Sequence, residues 1–215
     1  MTEAQIPAGR AVLSGNLTIP ENAMALVLFA HGSGSSRHSP RNQFVARTLN
    51  RAGLATLLFD LLTPEEEAVD ISSREHRFNI TLLAERLVRA TKWARQQKQT
   101  CDLHIGYFGS STGGAAALVA AAELPQDVRA VVSRGGRPDL AGDALPTVQA
   151  PTLLIVGGND DVVIELNERA LDQMRCKVKL EIIPGATHLF EEAGALEQVA
   201  KLASDWFSLH LSGPH

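Results

Sequence analysis

Cysteine is scarce in this 215-residue chain, with only Cys101 and Cys176 present. Two cysteines so far apart give neither a disulfide framework nor a metal-ligand spacing, so both are expected to be reduced and structural, in a reducing compartment. Long apolar runs are lacking too. No segment has the length of apolar sequence that a bilayer span requires, and residues 1–10 hold no apolar run of the kind a signal peptide carries. The expectation is a cytoplasmic protein with no membrane contact. Nor is either sign of charge in excess: 20 Lys and Arg stand against 24 Asp and Glu, a net charge of −4 that gives no general pull towards nucleic acid. Repeats, low-complexity tracts and linkers are absent as well. Hydrophobic content of 45% with 20% charged residues is ordinary for a globular chain, and residues 1–215 read as one domain.

One stretch organises what is there. Residues 103–108 are apolar enough for a buried strand, and residues 115–123, mostly alanine, are helical by propensity. Between them lies Gly109-Ser110-Ser111-Thr112-Gly113, a G-x-S-x-G turn. A strand running straight into a helix through this motif is a nucleophile elbow. The turn is tight enough to strain the central residue, and a Cβ two positions to either side would collide with it, hence Gly109 and Gly113.

Elsewhere apolar runs alternate with helical periodicity, as in a parallel α/β sheet with helices on both faces. Strands are expected over residues 24–30, 55–59, 128–133, 152–156 and 178–183, with residues 11–19 as an edge strand, which makes about seven in all. Helices are expected from a Ser39 cap and Pro40 to Gly53, over residues 80–98, over 165–174 and over 197–210. Residues 61–75, with Pro64-Glu65-Glu66-Glu67, read as an exposed loop.

Ligands of open parallel sheets bind where the loops after the strands gather. Four such loops carry acyl-transfer chemistry here. Ser111, Asp160 or Asp161, and His188 follow successive strands in the order Ser, Asp, His. Serine is a weak nucleophile that needs a base, histidine titrates near neutrality, and a carboxylate on its second nitrogen fixes the tautomer. Asp160, directly after Gly157-Gly158-Asn159, is preferred to its neighbour. The backbone N–H groups of Ser33, in His31-Gly32-Ser33-Gly34, and of Thr112 are the expected oxyanion donors. His31 is expected to shape its loop, and His104 to sit within the sheet.

These residues together resemble the α/β-hydrolase superfamily, and within it the small dienelactone-hydrolase-like group. The anchors are His31-Gly32-Ser33-Gly34, Gly109-Ser110-Ser111-Thr112-Gly113, Gly157-Gly158-Asn159-Asp160 and Gly185-Ala186-Thr187-His188. The resemblance implies an α/β-hydrolase fold, a triad of Ser111, Asp160 and His188, oxyanion donors Ser33 and Thr112, and no metal or organic cofactor. Dienelactone hydrolase is known for a cysteine nucleophile where this chain has serine, which sets the lactone substrate aside but not the fold. Fewer than twenty residues separate the strands over 128–133 and 152–156, too few for a large helical cap. Arg37, Arg41, Arg134 and Arg137 crowd the same loops. They are either solvated, with Asp139 and Asp143 as partners, or bind an anionic substrate, and Arg37, Arg134 and Arg137 are the candidates. The expected activity is hydrolysis of a small carboxylic ester by a monomer or homodimer. Thioester or amide cleavage, acyl transfer, and a non-catalytic binding protein are the alternatives.

Overall fold

Eight strands form one sheet in the order β1-β2-β4-β3-β5-β6-β7-β8 in a computed structural model that describes residues 1–213. The strands are β1 (Thr2–Ala8), β2 (Ala11–Thr18), β3 (Ala25–Ala30), β4 (Ala55–Phe59), β5 (His104–Ser110), β6 (Val128–Arg134), β7 (Thr152–Gly157) and β8 (Val178–Ile183). From β4 through β8 every neighbouring pair is parallel, while β1–β2 and β2–β4 are antiparallel. Six helices accompany them: α1 (Pro40–Arg51), α2 (Pro64–Ser73), α3 (Ile80–Gln96), α4 (Thr112–Glu123), α5 (Asp161–Gln173) and α6 (Ala195–Leu211).

Strands β3, β4, β5 and β7 are buried along their whole length, as their unbroken apolar runs require of a sheet covered on both faces. One face packs against α3 and α4. The other packs against α1 and α6, through Val45, Leu49, Val199, Ala203 and Phe207. The alanines of α4, from Ala115 to Ala117 and at Ala120 and Ala121, are fully buried and let this helix lie close to the sheet. At the heart of that layer the hydroxyls of Thr91 and Tyr107 share a 2.6 Å hydrogen bond.

Two sequence expectations need correction. Residues 11–19 are not an edge: β1 lies outside them and pairs with β2 from Thr2 opposite Leu17 to Ala8 opposite Ala11. That strand buries only Ala4, Ile6 and Ala8, so its alternation is too small in side-chain volume to read as an apolar pattern. Residues 61–75 are not an exposed loop, because α2 occupies most of them. The Thr63 hydroxyl accepts from the Glu66 N–H at 3.2 Å, and the Glu66 carboxylate accepts from the Thr63 N–H at 2.8 Å. This capping box, Pro64 at the first position, and three glutamates at the positive end of the helix dipole start a helix where composition suggested none. Smaller differences follow the same logic: α5 begins at Asp161, four residues before the expected start.

The α2–α3 corner is pinned from inside. Asp70 is fully buried and takes the Arg77 Nε at 2.6 Å, with the backbone N–H groups of His76 and Arg77 at 2.8 and 2.9 Å. Burial opposes the charge on Asp70, but the N–H groups of Arg77 and His76 outweigh it and hold the carboxyl below its ordinary value. A group lowered in the folded state stabilises above its ordinary pKa and loses that contribution as the pH falls through the folded value. Asp70→Asn is therefore expected to cost about 2 kcal/mol at pH 7, since it leaves buried donors poorly matched. The gap between the two proteins should narrow only below the ordinary carboxyl value, and urea unfolding at pH 7 and at about pH 2.5 checks both points.

Candidate active site

Ser111 ends β5 and caps α4 with φ 52° and ψ −124°, a left-handed backbone that non-glycine residues avoid. Its neighbours make that possible by having no side chain. A Cβ on Gly109 would lie 2.4 Å from the Gly113 oxygen, and one on Gly113 would lie 2.1 Å from the Ala30 oxygen. The strained residue is held through its backbone. Its N–H donates to the Arg134 carbonyl at 3.2 Å, and its carbonyl accepts from Arg137 and Gly114 at 3.2 and 3.0 Å.

The loop after β3 lies against this turn, for a Cβ on Gly32 would sit 3.0 Å from the Ser111 Cβ. The Ser33 hydroxyl meets the Thr112 hydroxyl at 3.1 Å and donates to the Arg77 carbonyl at 3.3 Å, which ties the loop to α4 and to the α2–α3 corner. Thr112 is the first residue of α4, so its N–H has no partner within the helix. His31 anchors the loop from beneath. Its Nε2 accepts from the Leu61 N–H at 3.0 Å, so the proton sits on Nδ1, 2.9 Å from the Gly32 carbonyl. Burial pushes the imidazole below its ordinary pKa, against the opposing pull of the Gly32 carbonyl and the charges of Asp60 and Glu67.

On the far side of Ser111, His188 Nδ1 lies 2.6 Å from Asp160 Oδ2. Asp160 stands at the N-cap of α5 yet makes no capping bond with its side chain, while Asp161 is exposed in the first turn. The structure thus brings Asp160, and not Asp161, to the imidazole. Glycine again allows the approach: a Cβ on Gly157 would lie 2.4 Å from the Ala186 oxygen. The two loops are laced together by the Asn159 N–H to the Ala186 carbonyl at 2.9 Å, and Thr187 is held by the Glu192 carboxylate at 2.6 Å. The imidazole faces the loop after β6, where a Cβ on Gly135 would come 3.5 Å from His188 Cε1. That is the loop whose Arg134 and Arg137 hold the Ser111 backbone, so both residues rest on one support. The His188 side chain is 40% exposed and Asp160 16%. Between β6 and β7 a short 3-10 segment (Pro138–Thr147) replaces any helical lid.

The chain carries a dienelactone hydrolase family match over residues 13–211. It belongs to the dienelactone hydrolase family. The crystal structure of a dienelactone hydrolase from Anabaena variabilis is 61% identical, with a TM-score of 0.96 over 98% of this chain and 97% of that one. An α/β serine hydrolase without a lid from Xanthomonas campestris, 19% identical with a TM-score of 0.77, shares the fold over 100% of this chain and 96% of that one. A curated relative from Mycobacterium tuberculosis, "Putative phosphoribosyl transferase", is 61% identical over 99% of this chain but over only 47% of its own length. The chain therefore spans about half the length of that relative.

Three arginines remain to be placed. Arg37 is paired with Asp60, and Arg137 holds Asp139 through two bonds of 2.9 and 2.7 Å, so neither offers a free charge. Arg134 is buried beneath Phe190, its guanidinium 6.0 Å from the ring centre, and neither its Nε nor its Nη1 has a partner among the described residues. His104 lies within the sheet with Nδ1 2.7 Å from the Leu211 carbonyl. The parts invisible in the sequence are the braces, Arg77, Glu192 and Phe190, because each acts through backbone or ring contacts that no motif encodes.

His31 gives a pH test of the loop. A histidine lowered in the folded state stabilises above its unfolded pKa, near 6.5, and that contribution is lost as the pH falls through the folded value. His31→Ala should therefore be less stable than the parent at pH 7, and the difference should shrink on lowering the pH to about 5. Thermal unfolding at the two pH values decides it, and an unchanged difference would contradict the neutral role.

Proposed function

We propose that this member of the dienelactone hydrolase family is a serine hydrolase that cleaves small carboxylic esters through an acyl-enzyme. The 2.6 Å bond between His188 and Asp160, at the same sheet rim as the strained Ser111, is the observation that carries the reading.

In this mechanism the Asp160 carboxylate accepts a hydrogen bond from the Nδ1–H of His188, so the unprotonated Nε2 is left as the base. As the Ser111 oxygen attacks the acyl carbon, Nε2 takes its proton, and Asp160 stabilises the imidazolium. Negative charge gathers on the former carbonyl oxygen, where the Ser33 and Thr112 N–H groups receive it. Such a donor typically contributes about 3 kcal/mol or more to lowering the barrier. Collapse expels the alcohol, which leaves with the proton from Nε2. Water then repeats the sequence from the other side, His188 again taking a proton and returning it to Ser111. The half-exposed His188 supports water as the acyl acceptor, and the absence of a lid suits small or exposed acyl groups.

The relative named as a transferase is about twice as long, and the chain matches only about half of it, so its name does not decide the reaction of this chain. A fluorophosphonate probe should label the wild-type protein and not Ser111→Ala. On p-nitrophenyl acetate, Asp160→Asn should fold normally yet lose about 10⁴-fold in kcat. A wild-type protein that stays unlabelled would point to a binding protein on the same fold. Turnover of acyl-thioesters far above that of p-nitrophenyl acetate and butyrate would shift the leaving group to sulfur.

A further inference from the structure

Strand β8 ends the sheet, and no strand lies beyond it among the described residues. Its bonds to β7 use every second residue. The Lys177 carbonyl accepts from the Thr152 N–H at 2.8 Å, and the Ile183 carbonyl accepts from the Gly158 N–H at 2.8 Å, with Val178 opposite Thr152 and Ile183 opposite Gly157. The N–H and C=O of one strand residue point to one edge, and those of the next residue point to the other. Lys179 and Glu181 therefore turn their backbone groups towards β7. Val178, Leu180 and Ile182 turn theirs to the open edge. Side chains alternate between the two faces on the same count, so Lys179 and Glu181 share one face and the three apolar residues share the other.

The opposite edge of the sheet is blunted, because Pro7 takes a donor out of β1. β8 holds no proline, and its apolar side chains lie next to the unpaired backbone: Ile182 is 38% exposed, with Val178 and Leu180 half-buried. A lysine on an edge strand ordinarily keeps other strands away. Here Lys179 is joined by Glu181 on the same face, and the pair they form within the strand is exposed and worth little. Their spacing makes the edge complementary to itself. An antiparallel second copy on a twofold axis can centre on Lys179, Leu180 or Glu181. Centring on Lys179 sets two lysines face to face, and centring on Glu181 sets two glutamates so; like charges directly opposite are destabilising. Centring on Leu180 puts Lys179 of each copy opposite Glu181 of the other, Val178 opposite Ile182, and Leu180 opposite itself. The same register joins the residues whose N–H and C=O groups face outward, so each of these pairs exchanges two hydrogen bonds.

We propose that β8 is a docking edge for a second copy of this chain, joined antiparallel about Leu180 into one continuous sheet. The joint is isologous, so every contact occurs twice and the interface closes at two copies. Because the two β8 strands run in opposite directions, the rims that carry Ser111 and His188 open at opposite ends of the joined sheet. The joint stands whether or not the protein is a hydrolase.

Sedimentation velocity over protein concentrations from about 1 to about 300 µM tests it, and a monomer should give way to a dimer across that range. Lys179→Glu and Glu181→Lys each set like charges opposite one another in both halves of the joint. Each should raise the dissociation constant about tenfold or more. The double exchange, Lys179→Glu together with Glu181→Lys, restores opposite charges and should bring the dimer back. Neither side chain is buried, so the variants should fold, and the double exchange separates pairing across the joint from any local damage. Hydrogen exchange adds the location. At high concentration the amides of Val178, Leu180 and Ile182 should become protected, while those of Lys179 and Glu181, already bonded to β7, should be protected at every concentration. A monomer throughout, a dimer indifferent to the single reversals, a double exchange as weak as the singles, or concentration-dependent protection confined to other strands would overturn the proposal.

Discussion

A methyl group on Gly113 would lie 2.1 Å from the Ala30 oxygen, and that closeness is the constraint on which the rest of the structure depends. It lets α4 begin almost against the end of β3. The loop after β3 can then lie over the turn, with Gly32 touching Ser111 and Ser33 bonded to Thr112. Without that contact the strained backbone of Ser111 would have nothing to oppose its relaxation, and strain persists only where the surroundings over-determine it. Here the surroundings are two central strands, β3 and β5, paired in register from Ala25 to Ala30.

Charge at the rim is arranged around that turn in graded fashion. His31 is kept neutral by burial, so the loop below the proposed oxyanion site carries no competing charge. Arg37 and Arg137 are each neutralised by an aspartate. Arg41 is paired with the exposed Glu191, and Arg134, buried beneath Phe190, keeps two nitrogens without a partner among the described residues. The loops holding His188 and Asp160 draw their rigidity from backbone bonds and glycine contacts, which explains how a half-exposed imidazole keeps its position. The end of β6 and the turn after it, through Arg134 and Arg137, hold the Ser111 backbone.

Much of this was legible in the residues. The buried strands were, because a sheet covered on both faces needs unbroken apolar runs, and β3, β4 and β7 announce themselves that way. Gly109 and Gly113 were legible because sterics admit few residue types there, and the Asp160–His188 contact was expected from the loops after β7 and β8. Two elements were obscured by competing signals. In β1 the alternation rests on Ala4, Ile6 and Ala8, too little volume to stand out from a polar segment. In α2 the run Pro64-Glu65-Glu66-Glu67 suggests solvent by composition, while Thr63 and Glu66 cap a helix by geometry. The arginines could not be sorted at all from sequence, since whether Arg37 or Arg134 finds a carboxylate depends on strands far apart in the chain. Asp70 was hidden because its partners, His76 and Arg77, are met only once α2 forms where composition suggested a loop.

The central claim is that Ser111 carries the acyl group between the two halves of the reaction. Acid-quenching the protein during turnover of p-nitrophenyl acetate, followed by peptide mapping in a mass spectrometer, tests it most directly. The account predicts an added acetyl group on Ser111, lost when His188 is replaced by glutamine because Ser111 then has no base. Acetyl found on another residue, or sustained turnover with no acylated peptide at all, would contradict it.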